Sequence, residues 1–202
     1  MINDFNVNIN KYSDEILNFY GFWEYICPSC QAKHSLSRHG FYTRNICYFS
    51  FGSVEESTIK ILRLICNSCG VTHAILPADI IPYAIFTFSC IFEILIRHFV
   101  DEKSVLEVSK ENKVSFQLIY LFINRLVFHL NPCVIFLRVF LAVETEFSSS
   151  FKDILSLIYK SFRGFDFQYQ YLNCYKKAFL MKRIQNVLSR KIHIGAHFKP
   201  PT

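Results

Sequence analysis

Cys27-Pro28-Ser29-Cys30 and Cys66-Asn67-Ser68-Cys69-Gly70 stand on either side of residues 31–65. Two C-x-x-C elements can each fold into a tight turn, and together they present four thiolates tetrahedrally to one metal ion. Gly70 follows the second pair, where a turn needs a residue that accepts positive φ. Pro28 fixes φ at the entrance of the first. The 31–65 gap is longer than that of a compact zinc site, so it has to be filled. Phe41 to Phe49 is rich in aromatic and β-prone residues, Phe51-Gly52-Ser53 reads as a turn, and Ser57 to Ile65 runs back as a second strand. Knuckle, strand, turn, strand, knuckle is the layout of a zinc ribbon. The expected ligands are Cys27, Cys30, Cys66 and Cys69, holding one structural Zn²⁺. His34, His39 and His73 lie close enough in sequence to replace one of them.

The remaining composition limits the choice of function. The chain has 202 residues, 51% of them apolar and 19% charged, with 22 Phe and 11 Tyr. That excludes wholesale disorder. Eight Cys without a basic, apolar leader at the start fit metal binding better than a disulfide framework, and the expected compartment is the cytoplasm. The other cysteines, Cys47, Cys90, Cys133 and Cys174, read as buried small hydrophobes. The charge-free runs between Asp79 and Glu93 and between Arg125 and Arg138 are shorter than the roughly 20 residues of a membrane span. They read as core helices, so no membrane partner is expected.

Downstream, Ser104-Val-Leu-Glu107 has the S-x-x-E form of a capping box. Val105 and Val108 would form the buried stripe of that helix, and Asn112 would end it. Val114 would plug the turn, and Ser115 would cap a second helix buried through Ile119 and Ile123. With a preceding helix over 84–100 this predicts a helix-turn-helix unit. The exposed front of its second helix would carry Ser115, Phe116, Gln117 and Tyr120, with Asn124 and Arg125 further along, towards base edges and phosphates. The competing reading is a helical hairpin inside a core.

Charge adds a third signal. After Asp166 no acidic residue follows, whereas Lys176, Lys177, Lys182, Arg183, Arg190, Lys191 and Lys199 do. A one-sided basic segment is the footprint of a polyanion partner. Leu172, Phe179, Leu180, Ile184, Val187 and Leu188 recur near helical spacing, which predicts a tail helix with Lys176, Lys177, Arg183 and Arg190 tracking phosphates.

Taken with Arg38-His-Gly-Phe-Tyr-Thr-Arg44, Thr72-His-Ala-Ile-Leu-Pro77 and Ile80-Ile-Pro82, the two knuckles resemble a bacterial family of uncharacterised, transposase-like proteins. The chain is also similar to the N-terminal DNA-binding parts of several insertion-sequence transposases. The resemblance covers roughly residues 23–130. It implies a four-cysteine zinc ribbon followed by a helix-turn-helix, with double-stranded DNA as partner and Arg38 and Arg44 among the contacts. A transposase or a second copy of the chain is a further expected partner. It does not imply catalysis. Strand transfer uses three carboxylates on a domain-sized fold, and residues 132–202 offer only Glu144, Glu146, Asp153 and Asp166. The expectation is an α+β protein, not an enzyme and without a small-molecule substrate. It would comprise an arm (1–22), a zinc ribbon (23–77), a mostly α-helical helix-turn-helix domain (78–131) and a basic helical C-terminal extension (132–202). The rival function is a zinc-ribbon protein-interaction adaptor.

Overall fold

The computed structural model describes residues 2–5, 9–18, 21–142 and 150–182. The fold is mixed α+β: a sheet at the N-terminal end and a helical cluster after it. Strands β2 (Leu36–Ser50) and β3 (Ser53–Cys66) form a long antiparallel hairpin, and β4 (Thr72–Pro77) adds to β3. The hairpin closes through two residues, Phe51 and Gly52, at φ 46° and 87°. Two consecutive positive φ values match the twist of the flanking strands. The expected strand–turn–strand is therefore present, and both strands are longer than the sequence suggested.

Segment 1–22, expected as an arm, is part of the fold. Strand β1 (Ile2–Phe5) lies parallel to β4, giving the order β1-β4-β3-β2. Helix α1 (Ile9–Leu17) follows, with Tyr12 and Ile16 fully buried against the sheet. The β3–β4 ladder runs through Arg63↔Ala74, Leu64↔His73 and Ile65↔Thr72. The next rung would join Leu62 to Ile75. The Tyr12 hydroxyl stands there instead, accepting from the Leu62 N–H at 3.3 Å and donating to the Ile75 carbonyl at 2.7 Å.

Helix α2 spans Phe88–Phe99, not 84–100. Residues 85–87 are held along β2: the Cys47 N–H donates to Ile85 O, and the Thr87 N–H to Cys47 O. Thr87 then caps the helix, its hydroxyl accepting from the Cys90 N–H. The buried Asp79 carboxylate accepts from both the N–H and the hydroxyl of Ser89 in the first turn.

Helix α3 (Val105–Asn112) starts on the expected capping box, with Ser104 and Glu107 bonding reciprocally. Its end differs by one residue. Asn112 is buried with its amide donating to Val108 O, and Lys113 takes the left-handed position at φ 55°. Val114 is buried in the turn and Ser115 caps α4 (Phe116–Leu141), as the pattern implied.

Helix α4 runs through Pro132, so the border drawn at 131/132 falls inside a single helix. Among the described residues it is the one helix long and apolar enough, by length and composition, to cross a membrane. The sequence estimate missed this because it stopped at Arg125 and Arg138, which the helix includes. Helices α5 (Phe151–Ser161) and α6 (Asp166–Tyr175) pack with α2, α3 and α4 around one core containing Phe88, Phe122, Phe136 and Phe167. Ser150 caps α5 through the Asp153 N–H. The expected tail helix is interrupted. α6 ends at Tyr175, Lys176 is left-handed at φ 53°, and Ala178, Phe179 and Leu180 are buried beyond it. Ile184, Val187 and Leu188 lie outside the described residues.

Candidate metal centre and helix-turn-helix face

The two knuckles are near copies of each other. In the first, the Gln31 N–H donates to Cys27 O and the Cys27 N–H to Ala32 O. In the second, the Gly70 N–H donates to Cys66 O and the Cys66 N–H to Val71 O. Gln31 (φ 63°) and Gly70 (φ 71°) occupy the same left-handed place. Gly70 was readable from the sequence; Gln31, which tolerates that conformation less readily, was not. A bond from the Asn67 N–H to Ser35 O ties the knuckles together.

This brings Cys27, Cys30, Cys66 and Cys69 into one group, their sulfurs all within 4.8 Å of one another. Cys27 and Cys69 are 3.8 Å apart, Cys30 and Cys66 3.7 Å. A tetrahedron with metal–sulfur bonds of about 2.3 Å has edges of about 3.8 Å. The donor set therefore fits a single metal ion. Cys27 and Cys66 are buried; Cys30 and Cys69 face outward.

Two side chains that the ligand spacing did not disclose touch the buried sulfurs. His73 Nε2 lies 3.3 Å from Cys27 Sγ, and burial lowers its pKa, favouring the neutral ring. His73 therefore supports a ligand and stands outside the cluster of four. His34 and His39 are exposed and also outside it. Ser35 Oγ lies 3.2 Å from Cys66 Sγ and 3.3 Å from Ala32 O. Its single O–H can serve either acceptor; towards a thiolate it turns to sulfur. That contact pulls the Cys66 thiol down to about 6, where the metal-binding form prevails at neutral pH.

Of the residues expected to meet DNA, Ser115, Phe116, Gln117, Tyr120 and Asn124 are all exposed along α4. Lys110 and Lys113 are exposed beside its first turn. Two arginines depart from expectation. Arg44 is turned inward: its guanidinium donates to the Ile81 carbonyl at 3.0 Å and to the Ala84 carbonyl, and burial lowers its pKa. It clamps loop 81–84 to β2. Arg125 is half-buried, with Nε enclosed and burial again lowering its pKa, so it is not on the open front of the helix. Arg38 remains exposed, over the Phe22 ring and donating to Ile16 O at 3.4 Å. Lys176 and Lys177 are exposed, while Arg183 and Arg190 lie outside the described residues.

The fold and site thus define a small α+β protein with a four-thiolate metal centre on paired knuckles. Residues 27–114 match DUF6431, described as a domain of unknown function. The match opens on the first cysteine of the cluster and closes on Val114, covering under half of the chain. No curated protein and no solved structure matches the chain.

Proposed function

We propose that the chain is a zinc-ribbon, helix-turn-helix protein that binds double-stranded DNA, related to the DNA-binding regions of transposases and without a chemical step of its own. The observation that carries this reading is the α3–turn–α4 unit. A three-residue turn, Lys113-Val114-Ser115, joins two capped helices, and the second presents Ser115, Gln117 and Tyr120 outward at its N-terminus. That is how a recognition helix offers its first turns to the major groove. Lys110 and Lys113 flank the same end and could meet phosphate. The all-thiolate donor set at tetrahedral spacing supports zinc, which prefers such ligands, and four thiolates would leave no coordination place for a reacting water. Zinc would therefore hold the ribbon, and through it the loop 81–87 that leads into α2.

The test is selection of binding sites from a pool of random duplexes, followed by titration across a salt series. Gln117→Ala should relax preference at one base position by about 1–3 kcal/mol. Lys110→Gln with Lys113→Gln should lower affinity for all duplexes alike and reduce the salt slope by about 0.9 per lost contact. A zinc-loaded protein that enriches no sequence and binds no duplex at low salt overturns the reading.

A further inference from the structure

The C-terminal half of α4 presents a face that the described residues leave open. Val127, Phe128, Ile135 and Val139 on it are 50–70% exposed. Between them runs a polar row, Asn124, Asn131 and Arg138, each exposed and seven residues from the next. Seven residues are about two turns, so the row forms one stripe with apolar flanks. An apolar face with a regular amide seam is the surface of a helix that pairs with another helix.

We propose that this face pairs with the same face of a second copy, the two α4 helices antiparallel about a two-fold axis at Asn131. The chemistry of the seam selects this occupant and this direction. In a parallel pair Arg138 would meet Arg138, like charge against like. In the antiparallel pair Arg138 meets the Asn124 amide of the second copy, whose oxygen accepts from a guanidinium. At the axis Asn131 meets itself, and an amide is its own complement because it both donates and accepts. The turn at Val127–Phe128 then lies against the turn at Val134–Ile135 of the other copy, apolar against apolar. A lipid surface suits the row less well, because two amides and a guanidinium would be left facing hydrocarbon. Asn124 thereby belongs to the seam and not to a DNA-reading front. The dimer is measured without DNA, so its failure leaves the DNA reading standing, and the reverse.

The experiment is sedimentation of the full, metal-loaded chain without detergent, with engineered cysteines to read direction. The parent is expected to be a dimer, and Ile135→Glu to weaken self-association at least 100-fold with an unchanged circular-dichroism spectrum. Asn131→Cys should form an intermolecular disulfide with itself, above the background of the parent. Asn124→Cys alone should not, since two copies of that position lie about 20 Å apart along an antiparallel pair. Asn124→Cys mixed with Arg138→Cys should cross-link again. A monomeric parent, a dimer unaffected by Ile135→Glu, cross-linking of Asn124→Cys to itself, or a chain that needs detergent and binds phosphatidylcholine vesicles would each overturn the proposal.

Discussion

Tyr12→Phe removes one oxygen and nothing else, and the structure says what that oxygen does. It sits where the Leu62–Ile75 rung of the β3–β4 ladder would be, and both bonds of that rung pass through it. Leu62, Ile75 and Tyr12 are all fully buried, so no solvent replaces the lost partner. Phe would leave one N–H and one C=O unsatisfied, at about 1–3 kcal/mol for each such group. Partial closing of the strands recovers some of this, giving an expected loss of about 2–4 kcal/mol. In a chain of this size each kcal/mol moves Tm by about 2–4 °C, so a drop of about 5–15 °C is expected. The assay is urea and thermal unfolding at saturating metal, so that metal linkage is the same for both proteins. An unchanged urea slope would show that the change is in stability and not in the extent of unfolding. Burial also pushes the Tyr12 phenol above its usual range. Its contribution is therefore present below about pH 10 and lost as pH rises past that, so the deficit of the Phe variant should shrink in strong alkali. A loss under about 0.5 kcal/mol at neutral pH would refute the reasoning, because it would mean the two strands simply complete their ladder.

Elemental analysis of the purified chain should find one zinc, and Cys66→Ser should lose it. Ser35→Ala and His73→Phe, which spare the ligands, should each weaken zinc about 10–100-fold in chelator competition; an unchanged affinity in both would remove these residues from the site. Asp79 is buried with its carboxyl raised by that burial, so its contribution to stability is present below about pH 4 and is lost as pH rises above it. Asp79→Asn keeps an oxygen for Ser89 and removes the charge. It should gain on the parent between pH 4 and pH 7 in urea unfolding, and a difference constant with pH would contradict this.

Local signals in the sequence carried much of the architecture. The C-x-x-C pairs, Gly70, the Phe51-Gly52 turn, the Ser104/Glu107 box and the Ser115 cap all act within a few residues of themselves. Each could be read in place because turn geometry and capping depend on neighbouring backbone. The exposure of Gln117 and Tyr120 followed from the same reasoning, since helical period alone sets which side of α4 is buried. Long-range partners decided the rest. Nothing near Tyr12 says that its hydroxyl would join two strands fifty and more residues away, or that segment 1–22 would enter the sheet. Arg44 reads as a free cation until loop 81–84 arrives with two carbonyls, and Arg125 until the packed helices enclose its Nε. His73 and Ser35 reach the sulfurs only because the β3–β4 ladder and the knuckle-to-knuckle bond bring them there. The sequence by itself determined the ligand set, the hairpin and the helix starts, because each is fixed by the conformational preferences of a short segment. The tertiary structure decided which polar side chains are committed inward and which face of α4 is left open, because burial is a property of everything packed around a residue.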